Sequence, residues 1–111
     1  MIEEVVIKYL EDKLGIKAYA EKPNRKTSEY IVVEKIDGGR INQINASTLS
    51  VFSYADTLFK AAALNERVKE TLLGIIELEE ISSSKIGGEG RNIDSNNREY
   101  RYETIINLYH Y

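Results

Sequence analysis

The chain has 111 residues, 42% of them apolar and 30% charged, the size and balance of one globular domain. It carries no cysteine and a single histidine, His110. Disulfides, thiol catalysis, thiolate metal sites and His-cluster zinc sites are therefore excluded. Fifteen basic residues oppose eighteen acidic ones, a net charge of −3 without the basic excess that phosphate neutralisation usually brings. No apolar run approaches the ~20 residues of a membrane span. Met1-Ile2-Glu3-Glu4 is too acidic for a signal peptide. The expectation is a soluble, intracellular protein with no membrane partner.

Ile2, Val5, Val6, Tyr9, Leu10 and Leu14 repeat at helical spacing and predict a helix from Ile2 to Leu14. Glu3, Glu4, Lys8, Glu11 and Asp12 fill its other side, and Gly15 stands where a C-terminal glycine stops a helix. Ile16 to Ala20 reads as a short strand, and residues 21–28 as a polar loop around the only proline. Glu29 to Ile36 is a strand whose Tyr30-Ile31-Val32-Val33 run implies cover on both faces.

Asp37-Gly38-Gly39-Arg40 signals a turn. Asn45 to Phe52 is its hairpin partner, and a 37–44 connection is long enough for the tip to project. Ser53 and Asp56 have capping-box spacing, which predicts a helix from Ala55 to Leu73, ended by Gly74. Leu58, Ala61, Leu64, Val68 and Leu72 form its buried stripe, and Phe59 falls off that stripe. Ile75 to Ile81 reads as an acidic strand. Residues 82–97 read as a flexible loop, being rich in Ser, Gly and Asn. Arg98 to Tyr109 is the closing strand, with Tyr100, Tyr102, Ile106 and Leu108 on one face.

The expected fold is a single α+β domain over residues 1–111, in the order α-β-β-β-α-β-β. Its sheet is mixed or antiparallel, with two helices packed on one face.

Few residues suggest chemistry. The Gly87-Gly88-Glu89-Gly90 stretch lacks phosphate-loop spacing and precedes no helix. Glu77 and Glu79 on one strand face could hold a hard cation such as Mg²⁺, though a solvated acidic face is the plainer reading. His110 sits near the chain end, where fraying favours an exposed or interface role over general-base chemistry. With no nucleophile–base–orienter set, neither enzyme activity nor a cofactor is expected. Eight of the ten aromatic residues are tyrosine, a type favoured at interfaces. Tyr9, Tyr30, Tyr100 and Tyr102 suit a core. Tyr109, Tyr111 and the off-stripe Phe59 are candidates for a subunit contact.

Three phrases together resemble a known family: Y-I-V-V-E-K-I-D-G-G-R (Tyr30–Arg40), S-T-L-S-V-F-S-Y-A-D-T-L-F-K-A-A-A-L (Ser47–Leu64) and R-E-Y-R-Y-E-T-I-I-N-L (Arg98–Leu108). The pattern is similar to the tail-terminator, or tail-completion, proteins of long-tailed bacteriophages and prophages, also described as minor capsid or head–tail joining proteins. The resemblance covers most of the chain. It implies a small α+β subunit that assembles with itself into a ring, usually a hexamer. Such a ring caps the head-proximal end of the tail tube, ends tail polymerisation and joins tail to head. The implied partners are the major tail tube protein, head–tail connector proteins, and DNA that passes through the lumen without specific binding. The implied location is the head–tail junction of the virion, reached from the cytoplasm of the bacterial host. The family has no catalytic residues to carry over. By position it adds Gly38, Gly39, Arg40 and the 82–97 loop, with Arg91, to the candidate contacts. A mildly acidic lumen also suits DNA that must slide.

Two other readings stay open on sequence. The opening α-β-β-β-α order matches a double-stranded-RNA-binding module, although Asp56 stands where that fold clusters basic residues at its second helix. A small carboxylate enzyme using a divalent cation at Glu77 and Glu79 is the other.

Overall fold

A computed structural model describes residues 1–24, 28–41, 43–94 and 99–111, with the backbone alone for residues 41, 89 and 91–94. The element order is α1 (Ile2–Leu14), β1 (Ala18–Tyr19), β2 (Glu29–Ile41), β3 (Ile44–Ala55), α2 (Leu58–Leu73), a 3-10 turn (Ile75–Glu77), β4 (Ile81–Asp94) and β5 (Glu99–His110). The five strands form one sheet in the order β1-β2-β3-β5-β4. β1 runs parallel to β2, and every other pair is antiparallel. This is the expected α+β fold, with a mixed sheet.

Both helices cover the same sheet face. α1 buries Ile2, Val6, Tyr9 and Leu10; α2 buries Ala61, Leu64, Val68 and Leu72. They pack on Ile31, Val33, Leu49, Val51, Ile106 and Leu108, which alternate along β2, β3 and β5 as the two-residue strand period requires. Gly15 ends α1 in the left-handed conformation, φ 68°, its N–H donating to the Glu11 carbonyl. The opposite sheet face has its own apolar cluster of Tyr30, Val32, Phe52 and Tyr54. The Tyr30–Val33 run is therefore buried on both sides, as its composition implied.

Four expected boundaries are corrected. First, Asp37–Arg40 is strand, paired with Thr48 to Asn45 after an irregularity between Lys35 and Asp37. The pairing continues to Ile41–Ile44, so the hairpin closes in two residues, with Gln43 at φ 69°. Asn45 is level with His110 on β5, so the tip does not project as a long loop. Cross-strand hydrogen bonds here outweigh the turn preference of the two glycines.

Second, α2 begins at Leu58 and its N-cap is Thr57, whose hydroxyl accepts from the Lys60 N–H at 3.1 Å. Ser53 cannot cap, because it is still paired in the sheet, with Ile31 on one side and Tyr102 on the other. Third, residues 75–77 form a 3-10 turn in place of a strand. Ile75 drops into the core directly after α2, and successive bonds from Leu78 to Ile75 and from Ile81 to Leu78 keep the chain coiled.

Fourth, the expected loop 82–97 is strand through Asp94; residues 95–97, and Arg98 at the expected start of the closing strand, lie outside the described residues. β4 is paired with β5 from Ile81–His110 to Asp94–Glu99, with irregularities at 81/83 and 86/88. Its Ser- and Gly-rich composition signals an edge strand, where little side-chain packing is required.

Candidate subunit-contact site

The candidate contact residues separate into two places. Gly39, Ala46 and Tyr109 stand in one cross-strand row on the face away from the helices. With no side chain at Gly39 and a methyl group at Ala46, a groove of about 260 Å³ opens beside the half-exposed Tyr109 ring. Asp37, Thr48 and Asn107 form the next row and line the same groove. The Thr48 hydroxyl donates to Asn107 Oδ1 at 2.7 Å, and Asp37 Oδ1 accepts from the Gly38 N–H at 2.8 Å. The sheet therefore brings Gly38, Gly39 and Tyr109 together. Arg40 is exposed on β2 beside them, and Tyr111 is exposed just past β5.

Phe59 and Arg91 lie elsewhere. Phe59 is in the first turn of α2, near the end of the sheet where β3 finishes, and is 82% exposed. Arg91 is on β4 opposite Tyr102, in that same half of the sheet. Lys60, next to Phe59, is paired with Asp56 at 3.4 Å.

Of the exposed or interface roles expected for His110, exposure at a frayed end is corrected. β5 carries it inward between Asn45 and Ile81, where it is buried and its Nε2 lies 2.8 Å from the Ser47 hydroxyl. The Tyr111 N–H then fastens the chain to the Glu80 carbonyl. The end of the chain is thus tied down as a sheet strand.

The carboxylate cluster is also rearranged. Glu77 is in the 3-10 turn, so it shares no strand face with Glu79. It pairs instead with Lys13 at 3.1 Å, which joins α1 to the turn after α2. Its hydrogen bond and charge raise the pKa of Lys13. Tyr9, nearby, is also raised, first by burial and then by the Glu77 charge, with Lys13 opposing. No group of three or more acidic or histidine side chains suited to a metal ion occurs among the described residues.

Sequence reasoning missed two polar devices. Asn65, on the buried face of α2, accepts from the Thr104 hydroxyl at 2.8 Å, joining helix to sheet. On the opposite face, Arg101 lies over the rings of Phe52 (4.6 Å) and Tyr54 (5.8 Å) and donates to the Tyr54 hydroxyl at 2.8 Å. Lys22 lies over Tyr54 at 5.4 Å and meets Glu99 at 3.0 Å, while Tyr30 donates to Glu99 at 2.7 Å. The legible signal was the placing of Tyr30, Val32, Phe52 and Tyr54 at two-residue spacing in adjacent strands. These rings are packed and nearly inaccessible, so they close the second face of the sheet.

Among the described residues no helix is long and apolar enough to cross a membrane. No protein-family model and no curated protein matches the chain.

Proposed function

We propose that the chain is a structural subunit of the tail-terminator kind. It forms a ring with copies of itself at the head-proximal end of a phage tail tube, ends tube growth and joins tail to head. The reading is supported above all by one observation: the surface features suited to contact lie at two separate places. The groove beside Gly39 and Tyr109 is at one end of the sheet, and Phe59 protrudes near the other. A ring needs two unlike surfaces on each subunit, because its contacts are head to tail. A twofold dimer needs only one self-complementary patch. The partners proposed with it are the tail tube protein and head–tail connector proteins, with DNA crossing the lumen unbound.

Light scattering at several concentrations tests the assembly. The expected result is a discrete closed oligomer, or a monomer that binds purified tail tubes. A monomer that neither binds tubes nor limits their length contradicts the proposal.

A further inference from the structure

We infer that copies of this chain join edge to edge, the outer edge of β4 in one copy pairing with the free edge of β2 in the next. The inference rests on the ring reading above and places the contact between copies at the sheet edges; with the ring axis along the strands, the Gly39–Tyr109 groove and Phe59 lie towards its two ends, on the sides where a ring meets what it joins. Among the described residues the sheet ends on two open edges. β4 is outermost on one side along all of Ile81–Asp94. On the other side β1 pairs with β2 at Ile31 and Val32, and no strand among the described residues pairs with the outer edge of residues 34–41.

Unpaired strand edges are templates for another chain, and proteins that avoid such pairing block the edge with proline, charge or a covering element. Neither edge carries proline, the chain's only one being Pro23, and the exposed charges they do carry, Glu34, Lys35, Asp37 and Arg40 on β2 and Lys85 on β4, are of mixed sign. Ile36 sits on the β2 edge, 53% exposed. Chain direction also fits. Around an axis running along the strands, every β2 points one way and every β4 the other, so the joint is antiparallel.

Charge identifies the occupant as a second copy. One cross-strand row reads Asp37, Thr48, Asn107, Lys85 from β2 to β4. Its outer members have opposite charge and are both exposed. Neither forms an ion pair among the described residues, and Asp37 accepts only from its own neighbour, Gly38. Copies set side by side without a shift along the strands bring Lys85 of one beside Asp37 of the next. The adjoining rows end on Gly38 with Ser84 and on Lys35 with Ile86, so no like charge opposes the approach. The irregularities at 35/37 on β2 and at 86/88 on β4 fall at adjacent levels, so the two edges bend at nearly the same height.

The absence of cysteine permits a direct test. The chain with Asp37→Cys and Lys85→Cys together is oxidised without tail components, and its fold is checked by circular dichroism. The expected result is a covalent ladder that ends at a closed ring, with neither single variant linking. Double-cysteine chain that stays unlinked both alone and with purified tail tubes, or single variants that link equally well, overturns the inference. A second pair removes dependence on disulfide geometry: Asp37→Lys should abolish the oligomer, and adding Lys85→Asp should restore it. Oligomers indifferent to both changes would leave the ring reading standing and the edge contact refuted. Linked rings that fail to stop tube growth would refute the tail-terminator reading alone.

Discussion

Tyr30 and Tyr54 stack across neighbouring strands, ring centroids 4.7 Å apart and planes 8° apart, on the sheet face opposite the helices. Arg101, Lys22 and Glu99 close over them. That face therefore carries packing energy of its own. Tyr54→Ala is expected to cost about 3–5 kcal/mol, the range for deleting a buried aromatic ring. Tyr30→Phe removes the hydroxyl that donates to the Glu99 carboxylate and should cost about 1.5–3 kcal/mol. Urea unfolding followed by circular dichroism measures both. A loss below about 1 kcal/mol for Tyr54→Ala would mean the face contributes little.

The two hydroxyls before α2 should behave oppositely. Thr57 caps the helix through the Lys60 N–H, so Thr57→Ala is expected to cost about 1 kcal/mol. Ser53 Oγ is buried and has no hydrogen-bond partner among the described residues. Ser53→Ala should then be neutral or stabilising, because it removes an unsatisfied polar atom. Thermal melts of the two variants decide it, and a larger loss for Ser53→Ala would restore the capping-box assignment.

Thr104→Val keeps side-chain shape but takes a donor from Asn65 inside the core. About 1–3 kcal/mol should be lost. Denaturant midpoints of Thr104→Val and Thr104→Ser separate the hydroxyl from the methyl group. Serine should retain more stability if the hydrogen bond is the larger contribution.

Stability should fall in alkaline solution. Burial and Glu77 raise Tyr9, and Glu77 raises Lys13, so the folded chain holds protons that the unfolded chain releases near their ordinary values of about 10. This contribution is complete below pH ~10 and is lost as pH rises through the raised folded values. Denaturant midpoints measured from pH 8 upward should decline past pH ~10. Glu77→Gln should flatten that decline, since it removes a cause common to both groups. An unchanged slope would mean that Glu77 contributes little and that the burial of Tyr9 carries the effect.

Much of the fold was legible because periodicity reports burial directly. The α1 face, the Gly15 stop, the Leu64-Val68-Leu72 stripe and the two-sided burial of Tyr30–Val33 all follow from side-chain spacing. What was not legible depends on partners distant in sequence. Asp37-Gly38-Gly39-Arg40 has turn composition, yet Thr48 to Asn45 holds it extended. Ser83 to Asp94 has loop composition, yet β5 supplies a complete pairing edge. Ser53 has cap spacing, yet it is committed to the sheet. Each case shows non-local hydrogen bonding prevailing over local preference. The candidate contacts were partly legible: Phe59 and Tyr111 are exposed as their positions implied. The meeting of Gly39 with Tyr109 depends on strand order, which periodicity does not encode. His110 is buried because its pairing in the closing strand outweighs the tendency of a chain end to fray.

The central claim is that this chain ends the growth of a tail tube. Its most direct test is electron microscopy of tubes assembled from the major tail protein, with and without this chain added. The account predicts shorter tubes that stop elongating and carry a ring of extra density at one end. Tubes of unchanged length with bare ends would contradict it.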